Sequence, residues 1–268
     1  MAVAATGPVP GPKVQTRSTR GYGTQPTPSH RFHMLHGVRA LLCDLDDTLF
    51  DRTSAFSTWA AKYAEASGAD AGFVAWMIAE DARGYRPRLE LWEAIRRRLD
   101  LDEPAEELVR HYQRSFGSMA TCAPEVLDAL GRARAAGWKI GIVTNGDAFQ
   151  HVKITAAGLE AHVDAICVSE TEGCRKPDPR LLRLAASRCG VSMEGAWMVG
   201  DNSEADIGAA NAAGIDSIWL SLGRAWHLTD YRPSAVATNF SEAVDLILGT
   251  TSQAEETVAH FGDHRRTH

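Results

Sequence analysis

Apolar residues recur along this chain in two patterns, as short unbroken runs and as stripes with helical spacing. A short unbroken apolar run is typical of a strand that is buried on both faces of a parallel sheet. Such runs predict strands at residues 40–43, 139–143, 165–168, 196–199 and 217–220. Apolar residues three and four positions apart predict helices between them. The alternation predicts an α/β fold built on a doubly wound parallel sheet.

The segment between the first two predicted strands contains helical patterns and no strand pattern. Helices are predicted to begin near Thr53, Asp70, Pro87 and Pro104. Three tryptophans at these helices favour a hydrophobic core over a cofactor site, and they are Trp59, Trp76 and Trp92. We therefore predict an α-helical cap of residues 52–121, inserted into a core of residues 37–51 and 122–249.

Both ends of the chain lack these patterns. Residues 1–36 are rich in Gly, Pro, Thr and Ser and contain no acidic residue, so we expect a disordered leader, or untranslated sequence if Met34 is the true start. Residues 250–268 are polar, and we expect a disordered tail.

The composition excludes several classes of protein. The chain has 268 residues, a net charge of -6 and a hydrophobic fraction of 44%, as ordinary globular proteins do. The negative charge argues against nucleic-acid binding, and no apolar run is long enough for a membrane span. Five scattered cysteines without a Cys-x-x-Cys pair fit the cytoplasm. Nothing in the sequence indicates the oligomeric state.

Acidic residues follow the first predicted strand directly. Asp44 and Asp46 are two positions apart, so an extended backbone would point both side chains the same way. Two carboxylates at that distance repel each other unless a cation or a shared proton lies between them. Oxygen ligands at the carboxyl end of a strand fit Mg²⁺, which often bridges to phosphate groups.

Polar clusters also follow three of the other predicted strands. Chance could place one such cluster at a strand end, but four of them in this order indicate a common site at one edge of the sheet. The four clusters are Asp44 with Asp46, Thr144 with Asn145, Lys176, and Asp201 with Asp206.

These clusters carry a family resemblance: the chain resembles the hydrolases of the haloacid dehalogenase superfamily. The resemblance covers about residues 38–243, and the helical insertion lies where the superfamily places its type-one cap. The segments that resemble the four motifs of the superfamily are Asp44-Leu-Asp46-Asp-Thr48, Val143-Thr144-Asn145-Gly146, Lys176-Pro177-Asp178-Pro179 and Gly200-Asp201-Asn202-Ser-Glu204-Ala-Asp206.

The resemblance implies a Mg²⁺-dependent phosphatase that hydrolyses a small phosphomonoester through an aspartyl-phosphate. Asp44 would be the nucleophile and a metal ligand. Asp46 would protonate the leaving oxygen and then activate water, with a pKa raised toward neutrality, and its main-chain carbonyl would bind the metal. Asp201 would be a further metal ligand. Asp206 would either support the ligands or be structural.

The remaining motif residues would bind the phosphoryl group. Thr144 and Asn145 would donate hydrogen bonds to it, and Lys176 would place a positive charge against both the phosphate and the nucleophile. The interpretation of these residues as a plain turn and a surface lysine is less favoured, because all four clusters occur together.

Three alternatives differ in their sequence requirements. Haloacid dehalogenases lack an acid at the position of Asp46, so this residue favours phosphoryl transfer. A phosphomutase of the same superfamily would use the same pair of acids. A non-catalytic phosphate-binding or regulatory protein would not need every polar position to be filled. The substrate is open, and the cap cluster of Arg83, Tyr85, Arg86 and Arg88 is expected to be surface charge rather than a substrate contact.

Overall fold

The computed structural model describes residues 37–250, and within them six parallel strands form one sheet. The strands are β1 (Ala40–Cys43), β2 (Lys139–Thr144), β3 (Ala165–Val168), β4 (Trp197–Gly200), β5 (Asp216–Leu220) and β6 (Ala235–Ala237). Their order across the sheet is β3-β2-β1-β4-β5-β6. The predicted doubly wound parallel sheet is therefore confirmed. The edge strand β6 was not predicted, because it has three residues and half of Val236 is exposed.

The helices occupy the segments between the strands. They are α1 (Arg52–Ser67), α2 (Phe73–Asp81), α3 (Arg88–Leu99), α4 (Ala105–Gly117), α5 (Pro124–Ala135), α6 (Phe149–Ala156), α7 (Ser169–Glu172), α8 (Arg180–Arg188) and α9 (Gly208–Ala213), followed by a helix over residues 240–250. A 3₁₀ turn, Ala82–Gly84, follows α2, and a π-helical turn, Ser203–Ile207, precedes α9.

Strand β1 lies at the centre of the sheet, between β2 and β4. Its side chains alternate between two hydrophobic clusters: Leu41 and Cys43 pack into one, Ala40 and Leu42 into the other. Both faces of β1 are thus buried, which explains why its sequence is apolar without interruption. Asp44 is the first polar residue after β1 and lies at the carboxyl end of the strand.

Helices α1–α4 pack around an aromatic cluster. The ring centroids of Trp59 and Tyr112 are 5.0 Å apart, and those of Trp59 and Trp92 are 5.8 Å apart. Trp76 is half-buried and packs against the same core. The tryptophans therefore serve packing, as their positions in the sequence indicate.

Helices α1–α4 contact the rest of the fold where α4 packs against α6. A Cβ on Gly117 would lie only 2.9 Å from atoms of Phe149 and Val152, so glycine allows the two helices to approach closely. The ring of Phe116 lies 6.2 Å from that of Phe50 and 6.4 Å from that of Phe149. These contacts place the helices above the carboxyl ends of the strands.

Two predicted segments lie wholly or mostly outside the described residues. The predicted leader, including Met34, lies outside the described residues, as do residues 251–268 of the predicted tail. Thr250 belongs to the last described helix. The division into a cap of residues 52–121 and a core stays a prediction. Within residues 37–250, no helix combines the length and apolar character that crossing a lipid bilayer requires.

Candidate functional site

Three buried carboxylates meet where β1 and β4 end. Asp44 follows β1, Asp201 follows β4, and Asp206 lies in the π-helical turn; one oxygen from each lies within 4.8 Å of the others. The main-chain N–H of Asp44 donates to the carbonyl of Val199 at 2.9 Å, which links the two strand ends. Gly200 is required here, since a Cβ at this position would lie 2.3 Å from Asp206.

Lys176 lies between these acids. Its Nζ donates to Asp44 Oδ1 at 2.6 Å and to the carbonyl of Val143 at 2.5 Å, and it lies 2.7 Å from Asp206 Oδ1. Burial alone would lower the pKa of this ammonium group, but Asp206 and Asp44 outweigh burial and raise the pKa. Lys176 therefore stays charged and holds two carboxylates together.

Lys176 pairs with two of the three acids and leaves Asp201 to other partners. Burial and the neighbouring Asp206 raise the pKa of Asp201 to about 7. Burial also raises the pKa of Asp44 well above its usual range, although Lys176 opposes the rise. Three carboxylates thus converge on one place, with Lys176 against Asp44 and Asp206, and two arginines against Asp201. That donor set fits a hard divalent cation such as Mg²⁺.

The side chain of Asp46 lies apart from this cluster. Both of its oxygens are 2.6 Å from Nζ of Lys153, and Oδ2 also accepts a hydrogen bond from Gln150 Nε2 at 3.0 Å. Burial would raise the pKa of Asp46, but Lys153 and Arg52 lower it overall. The expected rise of this pKa toward neutrality was wrong for the free protein, because sequence spacing gave no sign of the buried lysine.

Thr144 and Asn145 follow β2 beside these acids. The Oγ1 of Thr144 accepts a hydrogen bond from Gln150 at 2.5 Å, so its own O–H remains available to donate. The side chain of Asn145 instead bonds the main chain of Lys176: Nδ2 donates to its carbonyl and Oδ1 accepts from its N–H, both at 2.9 Å. In the structure, Asn145 therefore positions the loop that carries Lys176.

Arg83 is the arginine of the predicted cap that enters the site. Its Nη2 lies 2.8 Å from Asp47 Oδ2 and 3.0 Å from Asp201 Oδ2. The expectation that it is a surface charge was wrong, because the turn after α2 folds over the acids.

The other members of that cap cluster bond elsewhere. Arg88 pairs with Asp81 at 2.6 Å, and Arg86 pairs with Glu80. The hydroxyl of Tyr85 accepts a hydrogen bond from the side chain of Asn202, although most of the Tyr85 side chain is exposed. Tyr85 thus joins Arg83 as a second contact from the cap to the segment that follows β4.

Three residues at the site were missed by the sequence argument: Gln150, Lys153 and Arg224. Gln150 and Lys153 are buried polar residues three positions apart in α6, so they share one helix face. Arg224 follows β5 and donates to the carbonyl of Asp201 at 2.7 Å. The rule that located the other clusters, polar residues just beyond a strand end, would have found Arg224 if it had been applied to β5.

Comparisons with known proteins match this chain to one family. Residues 38–214 match the model of the haloacid dehalogenase-like hydrolases. The phosphoserine phosphatase of Thermus thermophilus is 40% identical over 101 residues, which span 37% of this chain and 41% of that enzyme. The glyceraldehyde 3-phosphate phosphatase of Methanopyrus kandleri is 30% identical over 203 residues, which span 70% of this chain and 85% of that enzyme.

A solved structure shows the same fold. The magnesium-bound HAD hydrolase YfnB of Bacillus subtilis aligns with a TM-score of 0.65 and 21% identity, over 79% of this chain and 99% of that one.

The position of Lys176 predicts a large effect on stability. Lys176→Met would leave Asp44 and Asp206 buried without the positive charge of the lysine. We expect the free energy of unfolding, measured in urea, to fall by about 3–5 kcal/mol relative to the wild type. Added Mg²⁺ should restore part of this loss, since the acids then bind a cation from solution. Lys139→Met is the control, because Lys139 pairs with Asp164 at the surface. Equal urea midpoints for Lys176→Met and the wild type would contradict this assignment.

Proposed function

This chain belongs to the haloacid dehalogenase-like hydrolases, and on that premise we propose that it is a Mg²⁺-dependent phosphatase acting on a small phosphorylated metabolite. The observation that carries the proposal is the position of Asp44. It lies at the carboxyl end of the central strand, its Oδ1 is held by Lys176, and two further carboxylates lie beside it. A carboxylate fixed in this way has one oxygen left for nucleophilic attack, and we assign the attack on phosphorus to Oδ2.

Charge neutralisation is the main demand of this reaction, because a phosphate monoester is a dianion and its uncatalysed hydrolysis is very slow. Asp44 and Asp201 would hold Mg²⁺ with the main-chain carbonyl of Asp46, and Asp206 would support them. The bound ion would supply positive charge to the phosphoryl oxygens. Lys176 would supply a second positive charge beside the nucleophile.

Thr144 and Asn145 would orient the phosphoryl group in different ways. The hydroxyl of Thr144 would donate to a phosphoryl oxygen while Gln150 fixes its direction. The predicted contact of Asn145 with phosphate would come from its main-chain N–H, since its side chain positions Lys176. Asn145 thus contributes to phosphate binding mainly through that lysine.

Asp46 would transfer protons, and the charged groups around its carboxyl determine when that carboxyl is protonated. In the free protein Lys153 keeps Asp46 ionised. A phosphate dianion beside Asp46 would raise the pKa of its carboxyl, because like charges disfavour ionisation. Asp46 could then give a proton to the leaving oxygen and later take one from the water that hydrolyses the aspartyl-phosphate.

The proposed substrate is a small phosphomonoester. The two named relatives act on phosphoserine and on glyceraldehyde 3-phosphate, which share a phosphomonoester and differ in the leaving group. The net charge of -6 supports a small metabolite rather than nucleic acid. The five free cysteines support a cytoplasmic location.

Phosphate release from a panel of phosphomonoesters tests the proposal. We expect release with Mg²⁺ and none with EDTA, and we expect Asp44→Asn to abolish it while the far-UV circular dichroism is unchanged. Asp51→Asn is the control, because Asp51 is an exposed acid that caps α1. Full activity of purified Asp44→Asn would contradict the mechanism.

The proton-transfer role of Asp46 predicts a dependence on the leaving group. Asp46→Asn should lower kcat for an alkyl phosphate about 10²–10⁴-fold, because the alkoxide needs a proton as it leaves. The loss should be much smaller for p-nitrophenyl phosphate, whose leaving group needs no proton. Steady-state kinetics with both substrates make the comparison. Equal losses of kcat for the two substrates would show that Asp46 does not protonate the leaving group.

A further inference from the structure

Arg83 joins the cap to the acid cluster. It lies in the Ala82–Gly84 turn, and its Nη2 contacts one oxygen each of Asp47 and Asp201 at 2.8 and 3.0 Å. Asp47 and Asp201 both belong to the segments that follow the central strands. One guanidinium nitrogen therefore connects a helical insertion to a proposed metal ligand.

A buried ionic network builds the turn that presents Arg83. Asp81 accepts two hydrogen bonds from Arg52 at 2.7 and 2.8 Å, one from Arg88 at 2.6 Å and one from the N–H of Gly84 at 2.9 Å. A Cβ on Gly84 would lie 2.9 Å from Arg52 Nε, so glycine lets the turn lie against that side chain.

The backbone of this turn is strained. Ala82 and Arg83 adopt φ values of 46° and 56°, in the left-handed region that disfavours residues with a Cβ. Such strain persists where surrounding contacts impose it, and it is common where a segment switches between states. Here the contacts of Asp81 and of Arg83 itself impose it.

The contact of Arg83 with Asp201 conflicts with cation binding by the same carboxylate. Asp201 Oδ2 already lies 3.1 Å from Arg224, an arginine of the sheet domain that also bonds the Asp201 carbonyl. Arg83 adds a second positive charge at 3.0 Å. Positive charges so close to a ligand oxygen repel a further cation and occupy its lone pairs.

Arg83 is also incompletely bonded. Its Nε is buried and has no hydrogen-bond partner among the described residues, while about a third of the side chain is exposed. A guanidinium with an unsatisfied N–H is held less firmly than a fully bonded one. Arg224 is held more firmly, because it donates to the main-chain carbonyls of Asp201 and Leu220.

We propose that Arg83 competes with the divalent cation for Asp201, so that cation binding releases this contact between the cap and the sheet domain. In the cation-free protein, Arg83 holds the turn over the site and offsets the charge of Asp201. When a cation takes Asp201, Arg83 gives up that bond and keeps only Asp47 as an acidic partner. The inference rests on the proposed role of Asp201 as a metal ligand.

Mg²⁺ titration calorimetry of the full chain without substrate tests the competition. Arg83→Gln removes the competing charge, and we expect it to bind Mg²⁺ at least about tenfold more tightly than the wild type. Arg86→Gln is the matched control, since Arg86 lies in the same segment but pairs with Glu80. It should bind Mg²⁺ as the wild type does.

Hydrogen exchange supplies a second readout, and its first comparison uses the wild type alone. In the wild type, Mg²⁺ should speed exchange in a peptide covering residues 82–88, because the turn loses its contact with Asp201. In Arg83→Gln the same peptide should exchange quickly with or without Mg²⁺.

The outcomes separate this inference from the proposed function. Equal Mg²⁺ affinities for the wild type and Arg83→Gln, or exchange in residues 82–88 that Mg²⁺ leaves unchanged in the wild type, would overturn the competition alone. Absence of Mg²⁺ binding by both proteins would overturn the proposed metal site as well, and the competition with it.

Discussion

The ion pairs between Lys176 and the acids around it are the constraint on which the rest of the site depends. Asp44, Asp201 and Asp206 are all less than a tenth exposed and would repel one another in a dry site. Lys176 reaches two of them and is itself fixed by the carbonyl of Val143 and by the side chain of Asn145. Three carboxylate oxygens therefore stay close together, and the proposed binding of Mg²⁺ depends on that convergence.

The fold makes this arrangement possible. Parallel strands end at one edge of the sheet, so residues far apart in the sequence meet there. The central position of β1 places Asp44 between the residues that follow β2 and those that follow β4. Helices α1–α4 then place a charged turn over the same edge, and Arg83 of that turn contacts Asp47 and Asp201.

The sequence allowed the strands and four of the polar clusters to be predicted, because both depend on local pattern. Unbroken apolar runs mark strands buried on both faces, and the acids at their ends mark the edge of the sheet. The pattern fails for β6, which has only one buried residue. Asp44 and Lys176 were predicted to interact, and the structure places their charged atoms 2.6 Å apart.

Properties that depend on long-range partners could not be predicted from local pattern. The pKa of Asp46 depends on Lys153, which lies 107 positions away in the sequence. The side chain of Asn145 was expected at the phosphate and instead bonds the main chain of Lys176, a choice that only the folded loop decides. The contacts of Arg83 depend on its strained turn, which the hydrophobic pattern of the sequence does not indicate. Each of these contacts forms only after folding: Lys153 is brought near by α6, the main chain of Lys176 by its loop, and Arg83 by the turn after α2.

A search for the phosphorylated enzyme itself tests the proposed nucleophile directly. The protein would be mixed with a substrate that it turns over, quenched in acid during the reaction, digested, and examined by mass spectrometry. The proposed mechanism predicts one added phosphoryl group on Asp44, and its disappearance once the substrate is consumed. Turnover with no phosphoryl group on Asp44 at any time, or with the group on another residue, would contradict the assignment of Asp44 as the nucleophile.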